Sequence, residues 1–133
     1  MSLAIKLQQA SAEFQKLQGD LSKAVEARQR LDAQLSENEL VKKEFAQLTP
    51  ENTVFKQIGP VLVKQDQAEA KSNVETRLDF IRGEIKRVES QIKDIESKQE
   101  KKKQELVDIQ TALQQQAQQN AAPSKQSSTT TPA

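Results

Sequence analysis

Apolar side chains fall at Leu3, Leu7, Ala10, Phe14, Leu17, Leu21 and Ala24, then at Leu31 and Leu35, with Arg28 in the slot between. The spacings alternate four and three and the intervening residues are mostly Gln, Lys, Glu and Arg, so the pattern predicts a long helix with a heptad seam. At Asn38 the stripe changes phase to Val41, Phe45 and Leu48, and Thr49-Pro50 stops it, which sets the first helix at 1–48. A second, stronger seam comprises Val74, Leu78, Ile81, Ile85, Val88, Ile92 and Ile95, then passes through polar Gln99 and Lys102 to Leu106, Ile109 and Leu113. It predicts a second helix over 66–116. The start is open by one turn, because Asp66 with Glu69 and Ser72 with Glu75 both have the spacing of an N-cap and its reciprocal acid.

Between the helices, in the region 53–65, the period changes. VFKQIGPVLVK is rich in residues that suit a pleated surface, and a two-residue Gly59-Pro60 loop divides it into two short runs, the signature of a hairpin. Glycine can adopt the positive φ required at the first position of a type II′ turn, and proline suits the second. Alternation places Val54, Ile58, Val61 and Val63 on one face, with Phe55 and Leu62 on the other. A lone two-stranded hairpin is marginal in water, and the chain has no third strand, so its edges and both faces need cover from other subunits. The expected fold is mainly α: a long antiparallel two-helix coiled coil joined by a single β-hairpin. Each helix of about 45 residues would reach roughly 70 Å. That arrangement puts Arg28 near Glu84 and Lys86, Val41, Phe45 and Leu48 beneath the hairpin, and the N-terminal leucines with the segment Leu106 to Leu113 at the far tip.

Composition narrows the chemistry. Of 133 residues, 35% are hydrophobic and 29% charged, poor material for a globular core and good material for an elongated helical chain. Cys, His, Trp and Tyr are absent, which leaves no disulfide framework, thiolate or imidazole metal site, or imidazole base. The net charge of +1 predicts no overall field toward nucleic acid or anionic lipid. No apolar run has membrane-spanning length and the N-terminus lacks a signal-peptide core, so cytoplasmic residence is expected. Past Leu113 the chain becomes polar and proline-punctuated, and a disordered tail is expected over 117–133.

Few residues carry candidate chemistry. Lys101, Lys102 and Lys103 resemble a phosphate patch, but Glu96, Glu100 and Glu105 surround them and no aromatic is interleaved, which reads as a solvated helix face. The carboxylate pairs Glu37 with Glu39 and Glu96 with Glu100 read as charge patterning. No nucleotide loop is present, and neither catalysis nor a cofactor is expected. Arg28, Gln99 and Lys102 interrupt the seams and read either as register-fixing residues or as a switch. Ile5 and Val107 lie off the seams and widen the apolar surface formed with Leu3, Leu7, Leu106, Ile109 and Leu113; this set is either a client-binding tip or ordinary surface scatter.

The stretches ELVKKEFAQL (39–48), VFKQIGPVLVKQD (54–66) and AEAKSNVETRLDFIRGEIKRVE (68–89) resemble the prefoldin family in its β class, which has one hairpin between two helices. The resemblance covers roughly half the chain, with VFKQIGPVLVKQD its most specific part. It implies a hetero-hexamer of two α-type and four β-type subunits whose hairpins join into β-barrels and whose coiled coils hang free. It also implies a nucleotide-independent holdase that passes unfolded actin and tubulin chains to the cytosolic group II chaperonin. On this reading Val54, Phe55, Ile58, Gly59, Val61, Leu62 and Val63 are the assembly element, while the tip residues come from heptad analysis alone. The rival reading is a structural coiled-coil adaptor or tether for folded partners.

Overall fold

The hydroxyl of Ser2 opens the first helix, accepting a hydrogen bond from the Ile5 amide at 3.2 Å. The computed structural model describes residues 2–128, and four elements follow in order: α1 (Leu3–Ala46), β1 (Val54–Ile58), β2 (Val61–Gln65) and α2 (Gln67–Ser128). The Leu48 amide bonds the Phe45 carbonyl and the Gln47 amide the Glu44 carbonyl, so the end of α1 tightens into i to i−3 bonds before Pro50. Asp66 caps α2, its carboxylate accepting from the Glu69 amide at 3.2 Å; of the two possible starts, the earlier is the one formed. The helix expected to end at 116 is carried to Ser128. Gln and Ala are strong helix formers, so Gln114–Gln119 need no apolar seam to continue α2. The tail expected over 117–133 therefore falls partly on this helix, and 129–133 lie outside the described residues.

β1 and β2 pair antiparallel from Val54 opposite Gln65 to Ile58 opposite Val61. Gly59 has φ 60°, the left-handed value that the first residue of the two-residue loop requires and that a β-carbon would strain.

The chain divides into two compact units, one built from Lys23–Ile92 and the other from the described parts of Met1–Ser22 and Lys93–Ala133. In the first, α2 supplies the core: Ala70, Val74, Leu78, Ile81, Ile85 and Val88 are buried, with Leu78 wholly enclosed at 0% exposure. The facing residues of α1, Leu31, Leu35, Val41 and Phe45, are half-buried. The helices run antiparallel here, as the ion pairs Arg28–Glu89 (2.9 Å) and Lys42–Glu75 (2.6 Å) show. In the second unit Ala10 and Ile109 are the buried apolar residues among those described.

The helix register differs from the expected one, since Arg28 meets Glu89 and, at 3.7 Å, Asp32, not Glu84 and Lys86. The cause lies at the loop before the hairpin. The Asn52 amide bonds the Thr49 carbonyl at 3.1 Å, and the Asn52 side chain accepts from the Thr49 amide at 2.8 Å, forming a closed turn with Pro50 at its second position. Gln67 then donates its side-chain amide to the carbonyls of Thr49 and Asn52, each at 2.7 Å. The first turn of α2 thus lies beside the Thr49–Asn52 turn instead of beside the end of α1, which advances α2 by about one helical turn.

Candidate functional site

The hairpin presents its apolar residues to solvent. Opposed residues share a face, so the observed register puts Val54, Lys56, Ile58, Val61, Val63 and Gln65 on one side and Phe55, Gln57, Leu62 and Lys64 on the other. This is the division expected from alternation. Phe55, Ile58, Val61, Leu62 and Val63 are all exposed, and Val54 is half-buried. Two faces of large apolar side chains therefore lie open on a sheet of two strands whose outer edges carry no further strand among the described residues.

At the base of the hairpin is a cleft of about 420 Å³. Val41, Phe45, Val54, Phe55 and Val74 supply its apolar wall. Val41 and Phe45 were expected beneath the hairpin and line this space without filling it; Leu48, expected beside them, is half-buried and outside the lining. The polar lining includes Lys56 and Arg77 but no carboxylate. The Arg77 guanidinium donates to the Asn38 side-chain oxygen at 3.2 Å, and Asn38 in turn donates to the Gln34 carbonyl at 2.7 Å. Asn38, where the α1 seam changes phase, is thus held at both ends.

In the other unit, Ile5 is 47% and Val107 49% exposed, as their off-seam positions predict. Leu3, Leu7, Leu106 and Leu113 are half-buried. Ile109 is only 8% exposed and belongs to the seam, so it can contribute apolar area only if the helices part. Lys102, a seam interruption, reaches Glu13 on α1 and Glu105 on α2, the latter at 2.8 Å. The hydrogen bonds that Lys102 donates to these carboxylates, to Glu105 foremost and then to Glu13, hold its pKa above the ordinary lysine value. The seam lysine therefore bridges the two helices. In the hairpin unit, Arg87 donates to Glu84 at 2.8 Å and lowers the pKa of that carboxyl, chiefly through the hydrogen bond.

Three features were missed in the heptad reading. The Gln67 clamp depends on a non-local loop geometry that spacing does not encode. Lys56 and Arg77 come to line one cleft only through the fold, although Lys56 could be seen as a charge among apolar strand residues. Leu40 and Phe80 lie off the seams and are strongly exposed, which the heptad positions could have revealed.

Comparisons agree with this geometry. The prefoldin subunit family matches residues 8–120. Proteins called prefoldin subunit 6 from Bos taurus and Mus musculus are each 49% identical, over 121 and 120 residues respectively, with 90% of this chain and 94% of each relative covered. The crystal structure of the prefoldin beta subunit from Thermococcus strain KS-1 superposes with a TM-score of 0.71 at 21% identity, covering 81% of this chain and 92% of that one, and so shares the fold.

Proposed function

The chain belongs to the prefoldin family, and from that premise we propose that it is a β-class subunit of a hetero-hexameric, ATP-independent holdase in the cytoplasm. As a prefoldin subunit it partners other subunits of the family. In the proposed complex its hairpin joins theirs in a β-barrel, and the apolar patch around Ile5 and Val107 holds exposed hydrophobic segments of unfolded clients, actin and tubulin among them, for transfer to a group II chaperonin. Several weak patches acting together give useful avidity. No residue is assigned to catalysis and no cofactor is invoked.

The observation that carries the assembly reading is the uncovered hairpin. Burying a Val, Leu, Ile or Phe side chain contributes about 1.5–3 kcal/mol, so covering Phe55, Ile58, Val61, Leu62 and Val63 is a large driving force on the scale of a marginally stable protein. Replacing Val61 and Val63 with Asp tests it by co-expression with the other prefoldin subunits. The double variant keeps its helical circular dichroism and is lost from the native complex mass. Its incorporation at wild-type level would remove the hairpin as the assembly element. Suppression of aggregation of a denatured protein by the assembled complex without nucleotide tests the holdase half.

Exposed Leu40 and Phe80 favour a second reading, an adaptor that binds folded partners through its outer helix faces. Replacing both with Ser leaves aggregation suppression intact if the chain is a holdase working through Ile5 and Val107.

A further inference from the structure

We infer that the β1 edge selects its neighbour by charge: it takes an extended segment of a different chain that carries a carboxylate opposite Lys56, and it rejects the β1 edge of a second copy. The inference rests on the reading of the hairpin as the assembly element and adds the chemistry of the partner.

Strand symmetry supplies the first part of the argument. β1 has five residues, Val54–Ile58, and Lys56 is the middle one. When two identical strands pair antiparallel about a two-fold axis, the longest overlap centres on the middle residue. Lys56 then faces Lys56 of the second copy, and like charges directly opposed destabilise a strand pair. Sliding the register to part the lysines shortens the pairing. β2 has no such bar: its middle residue is Val63, and the same symmetry sets Lys64 against Leu62. Self-rejection is therefore a property of one edge.

The cleft supplies the second part. Lys56 and Arg77 both line the space beside β1, with no carboxylate in the lining. Neither makes an ion pair with a described residue, and Arg77 bonds only a neutral amide oxygen. The hairpin itself contains no acid; Asp66, just past β2, is engaged in capping α2. A neighbour covering this face would desolvate two cations, which is costly unless it brings negative charge. The apolar wall of Val41, Phe45 and Phe55 asks in addition for an apolar side chain. The segment that fits adds a strand to the β1 edge, with an acid set among apolar residues.

The chain itself can serve as probe, since Lys56→Glu turns β1 into an acidic strand. Wild type, Lys56→Glu and Lys56→Gln are each measured alone by sedimentation at low salt, then wild type is mixed in equal amount with each variant. Circular dichroism verifies folding, and Lys56→Gln keeps the test informative should the glutamate perturb the strand. The wild-type and Lys56→Glu mixture associates about tenfold more tightly than either alone, the swing from a repulsive to an attractive cross-strand pair, and high salt erases the difference. Lys56→Gln alone falls between. A mixture no tighter than Lys56→Gln alone would reduce Lys56 to a residue that merely keeps the edge soluble and would overturn the selection. If that happens while the Val61 and Val63 double variant is still expelled from the complex, assembly through the hairpin stands; if the double variant is incorporated, that reading falls instead.

Discussion

Replacing Gln67 should loosen the hairpin from the helices more than its place in the first turn of α2 suggests. Its side-chain amide donates to the Thr49 and Asn52 carbonyls at 2.7 Å each, and Gln67 is half-buried. A neutral hydrogen bond contributes about 0.5–1.5 kcal/mol net. In Gln67→Ala the loop carbonyls regain water, so the expected loss is about 1–2 kcal/mol, offset by a few tenths from the better helix former. Gln67→Glu separates the causes. Glutamate near a helix N-terminus is favourable, by about 0.3–1 kcal/mol, but an ionised carboxylate cannot donate and would face two carbonyl oxygens. The glutamate variant should therefore be no more stable than the alanine variant at neutral pH. Thermal unfolding reads the loss, and hydrogen exchange at the Asn52 amide, bonded to the Thr49 carbonyl, should speed up in both. Wild-type melting and exchange in Gln67→Glu would refute the clamp.

Other outcomes follow from the same geometry. Arg28→Leu removes an ion pair whose side chains are 39% and 40% exposed, worth about 0.2–1 kcal/mol. It adds apolar area to the seam, so thermal unfolding should show a neutral to slightly stabilising change; a large drop would mean that Arg28 holds more than Glu89 and Asp32. The lowered pKa of Glu84 means that its contribution is complete above the ordinary value of 4.5 and is lost as pH falls through the lower folded value. The stability difference between wild type and Glu84→Gln should accordingly shrink on acidification, and a constant difference would contradict the pairing with Arg87. Truncation after Gln116 should leave entry into the complex unchanged by native mass, because no buried residue among those described lies beyond Ile109.

Periodicity alone carried most of the fold. Residues spaced four and three fixed the seams, and Val74, Leu78, Ile81, Ile85 and Val88, buried in the hairpin unit, all lie on the second one. Hairpin register was equally legible, because Gly59-Pro60 allows only a tight loop and alternation does the rest. The helix register was not. It is set by a side chain reaching back from position 67 to a turn at 49–52, a contact that no local pattern reports. For the expected client-binding set, spacing identified Ile5 and Val107 as off-seam and placed Ile109 on the seam, where it is enclosed. The cleft is lined by cations of β1 and α2, Lys56 and Arg77, that only the folded chain brings to one space.

The proposed hold on a client through apolar contact at Ile5 and Val107 is read by light scattering of a denatured client protein with the assembled complex lacking nucleotide. Both residues are about half exposed, so replacing them with Ser removes apolar surface at little cost to the fold. The double variant should form an intact complex that protects the client markedly less than wild type, and wild-type protection should decline only mildly with added salt. Full protection by the intact double variant would contradict the assignment, and a steep loss of wild-type protection with salt would give the contact to the charged helix faces.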